Sequence, residues 1–203
     1  GEQILEFGVG LSSHTHRHLS ALKDADTVTV DPHKSGYIPY PSGALCYRNS
    51  LMRELLSFVA PYINHACEEP NVSSYGVEGS KAGAAVASIY LSHKVIRPDR
   101  SGYGRLIGRA MLGCKRIYSR LLCMQNHHDR FICVPLPQLN ESIPGETESQ
   151  KKEFIRDRIA YKGLQEISAD DEVIHLLNEI GPDQNILCYA FNFKHANGTL
   201  NQS

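Results

Sequence analysis

The alternation of hydrophobic and polar positions divides the chain into short strands and longer helices. Thr27, Val28, Thr29 and Val30 favour a strand, which Pro32 ends. Ala44 to Tyr47 reads as a second short strand. Residues 50–60 have helical spacing, with Ser50 placed to cap the helix, and residues 61–75 read as a polar loop. Residues 80–96 are rich in Ala, Gly and Ser, so a helix here would let a neighbour or a partner subunit approach closely. Residues 102–125 set Leu106, Met111, Ile117, Leu121 and Leu122 among Arg105, Arg109, Lys115, Arg116 and Arg120, which predicts an amphipathic surface helix. Phe131 to Val134 predicts a strand, and residues 135–150, with three prolines, a loop or linker. Helices are expected over 151–159 and 170–180, the second ending at Gly181-Pro182. Residues 185–193 predict a last strand before the turn signal Asn197-Gly198. Interleaved strands and helices define an α/β or α+β class.

Composition narrows the function classes. A chain of 203 residues, 41% hydrophobic and 21% charged, is an ordinary globular sequence. A net charge of −1 offers no basic surplus for nucleic acid or anionic lipid. No apolar run approaches the roughly 20 residues that span a bilayer, and the first residues lack the layout of a signal peptide. Cys46, Cys67, Cys114, Cys123, Cys133 and Cys188 are dispersed, without a Cys-x-x-Cys pair, and read as free thiols in the reducing cytoplasm. Glycosylation-type triplets start at Asn71, Asn140, Asn197 and Asn201, and carry weight only in a secreted chain.

The candidate chemistry centres on Asp31-Pro32-His33-Lys34. An amine that adds to a carbonyl must be held at a fixed point and must be able to lose its proton. A turn directly after a strand supplies both rigidity and access, and Lys34 occupies such a turn. His33 beside it suits contact with a phosphate or an aromatic ring, and Asp31 suits a structural role in the turn. Ser80 opens the small-residue helix and reads first as its N-cap. His14, His16 and His18 have a metal-ligand look, but no Cys or carboxylate of ligand spacing joins them. They read as exposed polar residues, as do His127 and His128, so no metal site is expected.

The stretch from Ala25 to Gly43, with Val77-Glu78-Gly79-Ser80-Lys81-Ala82-Gly83-Ala84-Ala85, resembles the group II pyridoxal-phosphate-dependent amino-acid decarboxylases, most of all the bacterial-type tyrosine decarboxylases. Gly102-Tyr103-Gly104 adds weaker support, and toward the C-terminus only Cys188 to Phe193 is similar. The resemblance implies part of a fold-type I, aminotransferase-like α/β large domain over residues 1–135. The start of the smaller C-terminal domain would follow over 150–203, with the boundary in the 135–150 loop. It implies that Lys34 bonds pyridoxal 5′-phosphate, and that Tyr62, 28 positions later on a loop, returns the proton. By the same resemblance, His33 and Ser80 would help hold the cofactor, and the substrate would be an aromatic amino acid such as L-tyrosine.

A glutamate-type substrate is the rival, and a non-catalytic dimerisation module the alternative of a different class. The family's carboxylate for the pyridine nitrogen has no counterpart here: Asp24 and Asp26 adjoin the lysine strand and do not match its motif. The sequence is therefore expected to be a partial chain, completed by a missing N-terminal half or paired as a homodimer through surface it leaves uncovered.

Overall fold

A computed structural model describes residues 9–39, 41–57, 81–126, 128–139 and 141–201. They form a mixed helix-and-strand structure in two compact units, one of residues 20–103 and one of residues 1–19 with 104–203. The 135–150 stretch lies inside the second unit.

In the 20–103 unit, β1 (Thr27–Val30) pairs antiparallel with β2 (Ala44–Tyr47), Thr27 opposite Tyr47 and Val30 opposite Ala44. β-branched residues fill β1, as a strand favours. A short helix, α2 (Met52–Leu55), and α3 (Gly83–Val95) complete its described elements. The helix expected over 50–60 is thus a single turn as far as Ser57, and its remainder lies outside the described residues. α3 arrives where the small-residue pattern placed it, yet none of its residues is buried, and Val95 is 83% exposed. Among the described residues of this unit only Ile38 and Ser42 are buried.

The 104–203 unit has a true core. Its spine is α4 (Arg105–Met124), which buries Met111, Leu112, Cys114, Lys115, Tyr118, Ser119, Leu122 and Cys123. That stripe recurs at three- and four-residue intervals, the period of one helical face. With it α5 (Glu148–Ile155), the π-helical turn Arg156–Ala160, α6 (Leu164–Ser168) and α7 (Asp171–Glu179) build one core, through Ile155, Ile159, Ile167, Val173, Leu176 and Leu177, with Ile180 just past α7. Two helix starts are capped as their sequences direct. Thr147 and Gln150 form a capping box on α5, and the Asp170 carboxylate accepts from the Val173 N–H on α7. β3 (Phe131–Leu136) pairs antiparallel with β4 (Cys188–Phe193). Tyr189, Phe191 and Phe193, two residues apart on β4, are all exposed.

α4 departs from a simple surface helix at two positions. Ile117 faces outward and Lys115 inward, with no exposed surface on its side chain. The Lys115 ammonium donates to the carbonyls of Asn178 at 3.1 Å and Ile180 at 2.9 Å, and to the Asp183 carboxylate at 2.9 Å. It therefore sits at the C-terminal end of α7, where unpaired carbonyls favour a cation.

The same end of α7 holds the N-terminal segment. Asp183 accepts from the Ser12 N–H at 3.1 Å and from the Ser12 hydroxyl. Glu179 accepts from the Ser13 N–H at 3.0 Å, and Asn178 from the Gly10 N–H at 2.7 Å. These bonds satisfy donors at the start of α1 (Ser13–Ser20), an element the Gly/Ser/His composition did not suggest. His14, His16 and His18 ride on α1 exposed, and no metal-binding cluster occurs among the described residues.

Burial pushes the Asp183 carboxyl up, but hydrogen bonds from Ser12, Thr15 and Lys115 and the Lys115 charge outweigh it and leave it below its ordinary value. A carboxyl depressed on folding contributes stability above its unfolded range and loses it as pH falls through the folded value. Acid unfolding of this unit is therefore expected to set in as pH drops below roughly 4. Asp183→Ala strands the buried ammonium and is expected to cost roughly 3–5 kcal/mol in urea unfolding at neutral pH. The double variant Lys115→Met/Asp183→Ala is expected to recover part of that loss.

Candidate active site

β1 delivers the chain to Asp31-Pro32, and residues 31–39 fold back on themselves ahead of β2. The Lys34 N–H donates to the Asp31 carbonyl at 3.0 Å, the Tyr37 N–H to the Lys34 carbonyl at 3.2 Å, and the Ile38 N–H to the Pro32 carbonyl at 3.2 Å. Ile38 is buried beneath this loop at 3% exposure. Lys34 is thus carried by a hydrogen-bonded turn rooted on a strand and pinned by one buried side chain.

Gly36 makes the turn feasible. A Cβ there would sit 2.5 Å from the Pro32 carbonyl oxygen and 2.9 Å from the Pro32 Cα. Tyr37 follows in the left-handed region at φ 56°, uncommon for a bulky residue and held only where the surroundings over-determine it.

The Lys34 amine lies 2.8 Å from the Asp31 carboxylate, with 65% of the lysine side chain exposed. The hydrogen bond from Lys34 holds the Asp31 carboxyl below its ordinary value, against slight desolvation. In this pair the amine is an ammonium, with no lone pair for a carbonyl. Addition requires that the proton leave, and the Asp31 charge beside it favours the ammonium, so the pair must part before the amine reacts.

His33 Nδ1 meets the Ser42 carbonyl. A carbonyl only accepts, so Nδ1 carries the hydrogen. Any contact of His33 with a phosphate or substrate would come through Nε2 or the ring face. The Ser42 hydroxyl is buried and has no partner among the described residues, a polar atom in want of one beside the lysine turn. Neither Ser42 nor the hydroxyl of Tyr103, which reaches the Gly36 carbonyl, was assigned a place at the site from sequence. Three-dimensional contact alone brings them there, although Gly102-Tyr103-Gly104 stood out as a motif.

The structure brings Lys34, His33 and Asp31 together in one turn. Tyr62 and Ser80 lie outside the described residues.

About half of the chain is homologous to amino-acid decarboxylases, as part of a group II decarboxylase would be. It is 36% identical over 110 residues to the L-tyrosine decarboxylase of Enterococcus faecium, 53% of this chain and 18% of that protein. It is 37% identical over 113 residues to the L-tyrosine decarboxylase of Enterococcus faecalis, 55% of this chain and 18% of that protein. A probable L-tyrosine/L-aspartate decarboxylase of Methanopyrus kandleri is 31% identical over 83 residues, 41% of this chain and 21% of that one. The chain therefore spans about a fifth of the length of these relatives. No family model matches it.

Gly36→Ala is expected to force the turn open. Amide exchange at Tyr37 and Ile38 in that variant would run well above wild type, while exchange in α4 and α7 stays unchanged.

Proposed function

We propose that this chain supplies the lysine-bearing part of a pyridoxal-phosphate-dependent amino-acid decarboxylase of the fold-type I architecture, acting on an aromatic amino acid such as L-tyrosine. The observation that carries the reading is Lys34 on its rigid turn, in a chain half of which is homologous to L-tyrosine decarboxylases. The residues present fit the aldehyde end of the cofactor. The amine stands mostly exposed on a fixed turn, the neighbouring imidazole gives its Nδ1 hydrogen to a carbonyl, and the buried Ser42 hydroxyl has no partner among the described residues.

When bound, pyridoxal phosphate supplies the electron sink for the pair released as carbon dioxide leaves. Lys34 would hold the cofactor through its amine once the ammonium has given its proton to solvent, and Asp31 orients that amine from 2.8 Å. Tyr62 gives a proton to the substrate carbon once the carboxylate has gone. His33 and Ser80 help hold the cofactor. Residues 1–135 belong on this reading to the large domain and residues 150–203 to the start of the smaller one.

The active assembly is completed by the parts of a decarboxylase that this sequence does not span or by a second copy, in the cytoplasm. Uncovered apolar side chains support such a contact: Tyr90 and Leu91 on α3, Leu55 on α2, Val30 and Leu45 on the first sheet. No helix among the described residues is long and apolar enough to cross a membrane. An acidic substrate is a second reading, favoured by the Methanopyrus kandleri protein, whose name includes L-aspartate.

Incubating the full chain with pyridoxal phosphate, reducing with borohydride and mapping peptides by mass tests the reading. A visible absorbance band and a reduced adduct at Lys34, both lost in Lys34→Ala, are expected. Equal labelling of the two proteins would sink it. Perturbation of the band by L-tyrosine rather than L-aspartate would separate the two substrate readings.

A further inference from the structure

The turn that carries Lys34 is itself held by a residue far away in sequence. Tyr103 donates its hydroxyl hydrogen to the Gly36 carbonyl at 2.8 Å, across 67 positions. Its ring lies 6.5 Å from the Tyr37 ring with 10° between the planes, and takes the ring of His93, on α3, at 5.7 Å and 88°. One half-buried ring therefore meets the turn two residues beyond Lys34, the left-handed residue after it, and the last part of α3. All of these groups belong to the 20–103 unit.

The loop that presents Tyr103 is independently fixed. The Asp99 carboxylate accepts from the Ser101 N–H at 2.9 Å, the Ser101 hydroxyl at 2.7 Å and the Gly102 N–H at 3.1 Å. The Tyr103 N–H donates to the Arg97 carbonyl at 3.0 Å. A Cβ on Gly102 would lie 2.1 Å from that same oxygen, so the approach needs glycine. Tyr103 thus reaches the lysine turn from a loop with bonds of its own, and gives the Gly36 peptide an anchor from 67 positions away. Ring stacking accounts for an aromatic residue here, and the bond to Gly36 calls for the hydroxyl as well.

We infer that Tyr103 is a positioning residue for Lys34: its hydroxyl fixes the Gly36 peptide, and through it the turn that aims the lysine amine. The inference rests on the reading of Lys34 as the amine that adds to the cofactor aldehyde. Removing the hydroxyl leaves both ring contacts in place and frees one peptide of the turn. The amine then spends less time correctly aimed, and its addition to an aldehyde slows, whereas addition at other lysines does not.

The test compares wild type, Tyr103→Phe and Lys34→Ala as full chains. Each is treated with pyridoxal phosphate and cyanoborohydride, and the rate of labelling at every lysine is followed by peptide mass against pH. Amide exchange at Tyr37 and Ile38 is measured in parallel without the aldehyde. Tyr103→Phe is expected to slow labelling at Lys34 by roughly two- to tenfold, the worth of one neutral hydrogen bond, with the other lysines and the circular dichroism unchanged and the two amides exchanging faster. Lys34 labelling at the wild-type rate in Tyr103→Phe would overturn the positioning role and leave the Lys34 reading standing. A wild-type chain unlabelled at Lys34 would overturn that reading, and the positioning role with it.

Discussion

A fully buried ammonium organises the 104–203 unit. Lys115 has no exposed side-chain surface, so its charge can stay in the core only if every direction it points offers an acceptor. Two carbonyls at the end of α7 and the Asp183 carboxylate meet that need. The requirement reaches further. Asp183 must be in place to receive the lysine, and it is also the acceptor for Ser12 at the start of α1. One charge thus fixes the spacing of α4 and α7 and ties residues near the N-terminus to residues some 170 positions later.

Lys34 shows the opposite use of the same side chain. It is mostly exposed, has its carboxylate partner three residues away, and belongs to a turn whose backbone bonds do the holding. Lys115 is immobilised by its amine, whereas Lys34 is immobilised by its backbone and leaves the amine at the surface. A structural cation wants the first arrangement, and a nucleophile that must lose a proton wants the second.

Local pattern made much of this readable in the sequence. β1, β2, α3, α4 and β3 fall close to their expected spans, because β-branched runs and helical stripes are set by neighbours in sequence. The lysine turn was equally plain, since Pro32 after a strand admits little else. What escaped depends on contacts across the chain. Lys115 reads as one of five cations on a polar face, and only the position of α7 turns it inward. α1 reads as a polar stretch, and the N–H groups of Gly10, Ser12 and Ser13 at its start find their acceptors on residues 178–183. Ser42 and Tyr103 reach the lysine turn through folding alone.

The sparse burial around the lysine turn has a calorimetric side. Among the described residues of the 20–103 unit, Ile38 is the one large apolar side chain that folding removes from water almost completely. Heat-capacity change and denaturant sensitivity both scale with newly exposed apolar surface. Melting the described part of this unit would therefore register as a broad, shallow event with a small heat-capacity step, beside a sharper one from the Lys115 unit. Covering α3 and the first sheet would convert it into a cooperative transition, so heat-capacity data would reveal assembly even where no catalysis could be measured.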